Sequence, residues 1–284
     1  MNRRRLVRVP GSSANLGPGY DVLAAAIGLE LELEVEEAGE FSVSVAGAEG
    51  VPTDRSNLCV RAFEMLHPAD GLAFRIRTEL PLGAGLGSSG AAIVAGLVAA
   101  DHLYELDAPL FELASELEGH PDNVAASLLG GFVICADGRA DRFAAAPGLE
   151  GVVLTPPGPV PTVEARAAMP AEVTLEEAVH ASAHAALLVL GLVTGDLDQV
   201  ARGLADTLHQ PRRAHLYPRS MELLGRAREL GAIGASISGA GPSVLFWCQW
   251  ETTGTLLEAL RGVAPDCGIR RVSFVPHGAD VTEL

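Results

Sequence analysis

The clearest pattern in the chain is a strict alternation of apolar and acidic residues. From Leu29 to Glu36 every second residue is Leu or Val, and every residue between them is Glu. Because successive side chains of a strand point to opposite faces, the segment predicts a half-buried strand with one apolar and one carboxylate face. Shorter alternations at residues 6–9, 41–45 and 74–77 predict three further strands.

Other segments lack this alternation. From Ser88 to about Leu103 the chain is almost continuously apolar, which is typical of a buried helix. The Ala-rich run after Asp21 also predicts a helix, with Asp21 in its first turn. The remaining regular segments are helices at 109–117, 176–193 and 197–208, a strand at 130–135, and a strand–turn–strand at 231–247.

Length and composition favour two packed domains. The chain has 284 residues, and Pro, Gly and Thr crowd residues 155 to 162. A long loop would give the same composition. We place the junction there and predict an N-terminal domain at 1–155 and a C-terminal domain at 156–284.

Charge narrows the range of partners. The net charge is -16, and all 20 basic residues are Arg. So acidic a chain is repelled by nucleic acid, and we interpret the cluster Arg3-Arg4-Arg5 as a solvated tail. Without Lys, neither a Walker-type phosphate loop nor a Schiff-base enzyme can operate.

Cysteine and hydropathy patterns predict a protein of the reducing cytoplasm. The four cysteines form no CxxC pair, so neither a zinc site nor a disulfide framework is expected. The apolar runs at 91–100 and 185–193 are shorter than the ~20 residues that span a bilayer, so no membrane is expected. His180 and His184, spaced i, i+4, could be metal ligands but lack the Glu of HExxH, and we expect ordinary helix residues.

The strongest chemical signal is the glycine-rich segment from Pro81 to Ala92, which reads PLGAGLGSSGAA. It follows a predicted strand and opens the buried helix. Glycines allow the backbone to approach an anion closely, and the helix that begins at Ser88 adds the positive end of its dipole. We therefore expect backbone N–H groups to bind phosphate here.

Two weaker segments accompany it. The first, Ala14 to Asp21, contains Asn, Gly and Pro, and by itself is equally consistent with a simple turn. The second, Ser236 to Ser243, reads SISGAGPS and predicts a glycine hairpin between apolar runs.

Together these motifs resemble a known family. With EGHPDNVA at 118–125, LLGGF at 128–132 and the segment 231–244, they are similar to the homoserine kinases, in the superfamily that also contains galactokinase, mevalonate kinase and phosphomevalonate kinase. The motifs cover most of the chain in the family's order. The resemblance implies an α+β fold with an N-terminal half like domain 2 of ribosomal protein S5 and a ferredoxin-like C-terminal half. Ligands are expected between the halves, and a homodimer is expected.

The resemblance also implies the nucleotide site, with ATP as co-substrate and Mg²⁺ as cofactor. Ser88 and Glu112 would bind Mg²⁺, since Glu112 lies eight residues before His120 as the family's glutamate does. Asn57 would lie against adenine, or else only hold a turn. The residues expected at the triphosphate and adenine are Asn57, Pro81, Leu82, Gly83, Ala84, Gly85, Leu86, Gly87, Ser88, Ser89, Gly90 and Thr162.

For the acceptor, L-homoserine, the resemblance implies a second set of residues. An α-ammonium needs a carboxylate such as Asp21, and an α-carboxylate pairs well with Arg. The residues expected at this acceptor are Asn15, Asp21, His120, Arg166, Arg213 and Gly239.

Asn123 stands where mevalonate kinase-like relatives have an Asp near the accepting hydroxyl. An amide cannot take up the proton at neutral pH, so we expect Asn123 to orient the hydroxyl. From the resemblance we expect homoserine phosphorylation for threonine biosynthesis. The alternatives are a sibling kinase acting on another small alcohol and a nucleotide-binding module without catalysis.

Overall fold

The computed structural model describes residues 3–47 and 50–284. In these ranges the strands are β1 (Arg4–Ala14), β2 (Leu23–Glu37), β3 (Ser42–Ala46), β4 (Leu72–Thr78), β5 (Phe132–Ala136), β6 (Arg139–Phe143), β7 (Leu149–Thr155), β8 (Gly234–Ile237), β9 (Val244–Gln249), β10 (Gly268–Ser273) and β11 (Asp280–Glu283). The helices are α1 (Leu58–Glu64), α2 (Ser88–Tyr104), α3 (Leu110–Glu118), α4 (Pro121–Leu129), α5 (Thr162–Ala167), α6 (Leu175–Thr194), α7 (Leu197–Gly203), α8 (Gln210–Arg213), α9 (Pro218–Gly225) and α10 (Thr253–Val263).

The strands form two sheets. The first has the order β11-β1-β2-β4-β3, with β5 paired to β2 and β6 paired to β5. The second has the order β10-β7-β9-β8, and all its pairs are antiparallel. With helices between β7 and β8 and between β9 and β10, this is the β-α-β-β-α-β arrangement of a ferredoxin-like fold. The predicted α+β class is confirmed.

The alternating segment lies in β2 as predicted. Leu31 and Leu33 are buried against the core, whereas the carboxylate of Glu34 on the other face binds Arg4 and Arg75. The segment from Ser88 onward is a buried helix, also as predicted.

The Ala-rich run after Asp21 is a strand, so the predicted helix is wrong. Ala24 packs with Ala125 of α4 on one face of β2, and Ala25 joins the main core on the other. A strand covered on both faces loses the alternation that marks a half-buried strand. Asp21 itself has φ +56° and is not helical.

The sheets do not divide the chain at 155/156. β7 precedes the predicted junction but pairs with β9 and β10 of the second sheet, and β11 returns to pair with β1. The arginine cluster is likewise no tail. Arg4 and Arg5 lie in β1, and Arg3 forms an ion pair with Glu37.

Helix α6 lies at the surface. It packs through Leu188, Gly191 and Leu192, while Leu175 and Val179 on its outer side are 81% and 60% exposed. By length and composition it is, among the described residues, the one helix apolar enough to cross a membrane, a test that a helix of a soluble protein also passes.

Candidate active site

A cavity of about 430 Å³ lies between the glycine loop, α4 and the β8–β9 turn. It collects most of the predicted site residues. Those that line it are Asn15, Asp21, Asn57, Leu82, Gly83, Gly85, Leu86, Gly87, Ser88, Ser89, His120, Asn123, Thr162, Arg166, Arg213 and Gly239. Pro81, Ala84, Gly90 and Glu112 are not part of its wall.

The glycine loop turns its carbonyl groups away from the cavity. The carbonyls of Gly83, Ala84 and Leu86 accept from the backbone N–H groups of Val160, Ser243 and Ser12. The carbonyl of Gly85 accepts from the hydroxyl of Ser238 at 2.6 Å. In the described part of the chain, the N–H groups of residues 83–90 have no protein acceptor. These donors and the start of α2 form a concave site for an anion.

Contact with the β8–β9 turn requires glycine in the loop. Gly85 has φ +76°, and a Cβ placed there would lie 2.2 Å from the carbonyl oxygen of Ser238. Gly87 has φ +71°, and its Cβ would lie 2.0 Å from Ser12 Oγ. The backbone approaches closely at both positions, so no other residue fits without a shift.

Helix α4 brings His120, Asp122 and Asn123 to the cavity. Asp122 Oδ1 accepts from the backbone N–H of Asn123 at 2.8 Å and lies 3.1 Å from His120 Nδ1. Burial lowers the pKa of His120, but the hydrogen bond to Asp122 and the charges of Asp122 and Glu118 outweigh burial, so the pKa is raised overall.

The amide of Asn123 is oriented by Ser12. The fully buried hydroxyl of Ser12 donates to Asn123 Oδ1 at 2.8 Å. With its oxygen engaged, Asn123 has its amide N–H groups left for a ligand.

Glu118, at the end of α3, also brings a carboxylate to the cavity. It accepts a hydrogen bond from Ser89 Oγ, and its side chain is 7% exposed. Burial raises the pKa of Glu118 above its ordinary value of 4.5, and the Ser89 hydroxyl partly opposes this. Glu112, expected to bind the metal, is exposed in the first turn of α3. It does not line the cavity, since it lies six positions before Glu118 on α3, well over one helical turn away.

An ion pair and a buried arginine also line the cavity. The guanidinium of Arg166 contacts both carboxylate oxygens of Asp21 at 3.0–3.2 Å. Burial raises the pKa of Asp21, while the charge of Arg166 lowers it. Arg213 is 1% exposed, and its Nε donates to the carbonyl of Ala165 at 2.8 Å.

Two predicted asparagines hold turns. Asn15 Oδ1 accepts from the backbone N–H of Asp21, and its Nδ2 donates to the carbonyl of Gly239. Asn57 caps α1 by accepting from Cys59, and it donates to the carbonyl of Pro52. Both line the cavity, but Asn57 has little capacity left for a hydrogen bond to a base.

Sequence reasoning missed Ser12, Glu118, Asp122 and His209. Glu118 and Asp122 each lie two positions from His120 in the EGHPDN motif. Two carboxylates so close to a predicted site histidine were the signal that could have identified them. Ser12 and His209 carry no such signal, because only the fold brings them to the site.

Comparison with known proteins defines the class. The model for the GHMP kinases N terminal domain matches residues 57–131, and the model for the GHMP kinases C terminal matches residues 184–263. Homoserine kinase of Moorella thermoacetica is 37% identical over 97% of this chain and 99% of its own length. Homoserine kinase of Gloeobacter violaceus is 40% identical over 97% and 98%.

Solved structures agree. Homoserine kinase from Cytophaga hutchinsonii superposes with a TM-score of 0.86 at 28% identity, covering 98% of this chain and 97% of that one. L. major mevalonate kinase, at 16% identity and a TM-score of 0.74, covers 95% and 96% and shows the fold alone. The chain belongs to the homoserine kinase branch of the GHMP kinase family.

Proposed function

We propose that this protein transfers the γ-phosphoryl group of MgATP to the side-chain hydroxyl of L-homoserine, giving O-phospho-L-homoserine for threonine biosynthesis. The observation that carries the proposal is one cavity lined both by the loop whose backbone N–H groups have no acceptor in the described part of the chain and by Asp21, Arg166 and Arg213. The N–H groups suit a triphosphate, and the three charged side chains suit a zwitterionic amino acid. The full-length relatives named homoserine kinase support the same acceptor.

The nucleotide would lie along the glycine loop with its triphosphate against residues 83–89. Thr162 lies at the edge of this region and is proposed as a further phosphate contact. The adenine would occupy the apolar part of the cavity, where we propose contact with Asn57 through shape rather than through its engaged amide. The apolar residues that line the cavity include Leu31, Val51, Leu58, Ile76, Leu80 and Leu82.

Mg²⁺ fits the end of the cavity at Glu118. The Glu118 carboxylate is buried, burial raises its pKa, and the hydroxyl groups of Ser88 and Ser89 at the same cavity offer further oxygen ligands. Mg²⁺ prefers one or two carboxylates together with phosphate oxygens and waters. We propose Glu118, instead of Glu112, as the carboxylate of this site, with Ser88 beside it. The ion would neutralise charge on the β- and γ-phosphates.

The acceptor would be held by its charges. Its α-ammonium would pair with Asp21, whose present partner is Arg166, and its α-carboxylate would lie between Arg166 and Arg213. In that complex Asp21 would contact two positive charges, Arg166 and the ammonium group. Arg166 would contact two negative charges, Asp21 and the α-carboxylate. His120, Asn15 and Gly239 would close the remaining sides.

The reaction needs alignment more than a base. Asn123 would donate to the acceptor oxygen, because Ser12 engages its amide oxygen. The hydroxyl proton would pass to a phosphate oxygen or to water, since phosphoryl transfer depends mainly on positioning and charge stabilisation.

We also propose that the enzyme acts in the cytoplasm as a homodimer. Among the described residues the four cysteines form no disulfide, which is compatible with a reducing compartment. The exposed apolar face of α6 offers a surface for pairing.

A coupled assay of ADP release tests the acceptor directly. Purified protein with MgATP is given homoserine, serine, threonine or mevalonate in turn. We expect homoserine to give the highest kcat/KM by at least about tenfold, since only it matches both the charges and the hydroxyl reach. A preference for mevalonate would favour a sibling kinase, and no turnover with any alcohol would favour a binding module.

A further inference from the structure

His209 lies fully buried behind the acceptor side of the cavity, just before α8. It does not line the cavity, and the function proposed above gives it no task. Both of its ring nitrogens nevertheless contact the elements that carry the acceptor residues.

The partners of His209 determine where its proton sits. Nε2 lies 2.8 Å from the carbonyl oxygen of Gly17 and 3.2 Å from that of Asn15, so it carries the hydrogen and donates. Nδ1 lies 3.5 Å from Nη1 of Arg213, which can only donate, so Nδ1 is the acceptor. Burial, the largest effect, and the charge of Arg213 lower the pKa of His209, while the charge of Asp206, whose Oδ2 lies 3.5 Å from Nε2, opposes them.

The Nε2–H group holds the turn that carries Asn15 and Asp21. Asn15 and Gly17 have φ of +59° and +53°, so the turn includes a non-glycine residue in the left-handed region. Two carbonyls bound by a rigid ring fix this conformation and the direction of the Asp21 backbone. The Tyr20 ring in the same turn packs on the imidazole with centroids 5.7 Å apart.

The Nδ1 side adjoins Arg213. This guanidinium also donates to Ala165 and packs over the Tyr20 ring at 4.9 Å. The carboxylate of Asp206 accepts from the backbone N–H groups of residues 208–210, which fixes the start of α8 and with it the backbone of His209. The imidazole thus bridges two elements that are remote in sequence.

We infer that His209 is a positioning residue for the acceptor: it holds the turn of the ammonium-binding Asp21 at a fixed distance from the carboxylate-binding Arg213. This inference rests on the proposed acceptor site. Its effect is specific to the amino acid, because the glycine loop and Glu118 do not contact His209.

Three substitutions separate the two contacts. H209Q places an amide N–H near the ring Nε2 position and can still bind the Gly17 carbonyl, but it lacks the acceptor for Arg213. H209N places an amide oxygen near the Nδ1 position and keeps only the second contact, and H209A removes both. We expect H209A to raise KM for homoserine about tenfold, in line with the loss of a buried hydrogen bond, and the other two to raise it less. We expect KM for MgATP to stay within about twofold in each.

His184 provides a matched control, since its Nδ1 also lies against a backbone carbonyl, that of Arg202, but it is not part of the cavity wall. H184Q should leave both KM values unchanged. If folded H209A keeps the wild-type KM for homoserine, or raises KM for MgATP equally, the inference is wrong. If H209A does not fold, circular dichroism will reveal it, and H209Q and H209N decide by the same criterion.

A double-mutant cycle tests the link to Arg213. H209Q should raise KM less in an R213A background than in the wild type, because the lost contact is already absent there. Full additivity would overturn the Arg213 link. Failure of the proposed function is distinguishable, because the wild type would then show no homoserine-dependent ADP release.

Discussion

At the scale of single residues, three carboxylates favour the binding of cations in the cavity. Asp21, Glu118 and Asp122 all line it, and burial raises the pKa of the first two. Asp122 Oδ2 is buried and has no hydrogen-bond partner among the described residues. A site with this balance is stabilised by added positive charge, which Mg²⁺ and an ammonium group would supply.

Glu118 and Glu112 make a matched pair for testing the metal. E118Q should raise the Mg²⁺ requirement and lower kcat/KM for MgATP by about tenfold or more, because it removes the buried negative charge near the phosphates. E112Q should behave as wild type, since that side chain is exposed. ADP release measured against Mg²⁺ concentration distinguishes them.

The same pair has a signature in pH. Burial raises the pKa of Glu118, so protonation competes with Mg²⁺ as the pH falls toward that pKa. The Mg²⁺ requirement of the wild type and of E112Q should therefore rise at acid pH, while that of E118Q should stay flat. A normal E118Q enzyme would refute the assigned site.

For individual residues, the sequence predicts which residues lie at the site better than it predicts the contacts that they make there. Sixteen of the predicted residues reach one cavity because their motifs are short and local. Spacing along the chain selected Glu112 over Glu118, but a helix turns by 100° per residue, so only the direction of α3 determines which carboxylate faces inward. The engaged amide of Asn57 was equally invisible, because its partners depend on turn geometry.

At the scale of secondary-structure elements, we expect nucleotide binding to depend on the contact between the glycine loop and the β8–β9 turn. G85A would place a Cβ against the carbonyl oxygen of Ser238 and strain a backbone with φ +76°. We expect KM for MgATP to rise about tenfold or more, and protection of the fold by MgATP against heating to be lost.

Gly254 in α10 is the matched control. A Cβ there meets nothing within 4 Å, so G254A should leave KM unchanged. If G85A bound MgATP as tightly as G254A does, the loop would not need this close approach.

The two parts of β2 show what the hydrophobic pattern predicts and what it does not. The alternation in β2 from Leu29 onward shows which face is solvent. Ala24 to Ala26 have no such face, and since Ala also has the highest helix propensity, both local signals pointed to a helix. Pairing with β1 and β5 overrides that preference.

At the scale of the whole molecule, we expect two copies of the protein to pair through the outer face of α6. Val179, Leu190 and Val193 are about half exposed or more, and they recur at helical spacing on one side. L190E combined with V179E should convert a dimer to a monomer in light scattering. L106E, at an exposed apolar residue of similar accessibility after α2, should not. A wild-type monomer, or a dimer unaffected by the α6 changes, would contradict this interface.

The sequence predicted two lobes with a junction at 155/156, and strand pairing crosses that position. Composition changes near residue 155 because a surface loop begins there, whereas strand pairing is non-local and leaves no such mark. Hence β7, which precedes residue 156, belongs to the second sheet, whereas β11, which follows it, belongs to the first.

The pairing of β11 with β1 has a kinetic consequence. Arg5 lies opposite Glu283, so the edge of the first sheet joins residues from nearly the full length of the sequence. Closing so long a loop must precede any stabilisation from that pair, and folds dominated by such pairings reach the native state slowly. An isolated fragment of residues 1–155 would also leave the apolar β7 without partners, so the two lobes cannot be recombined as independent modules.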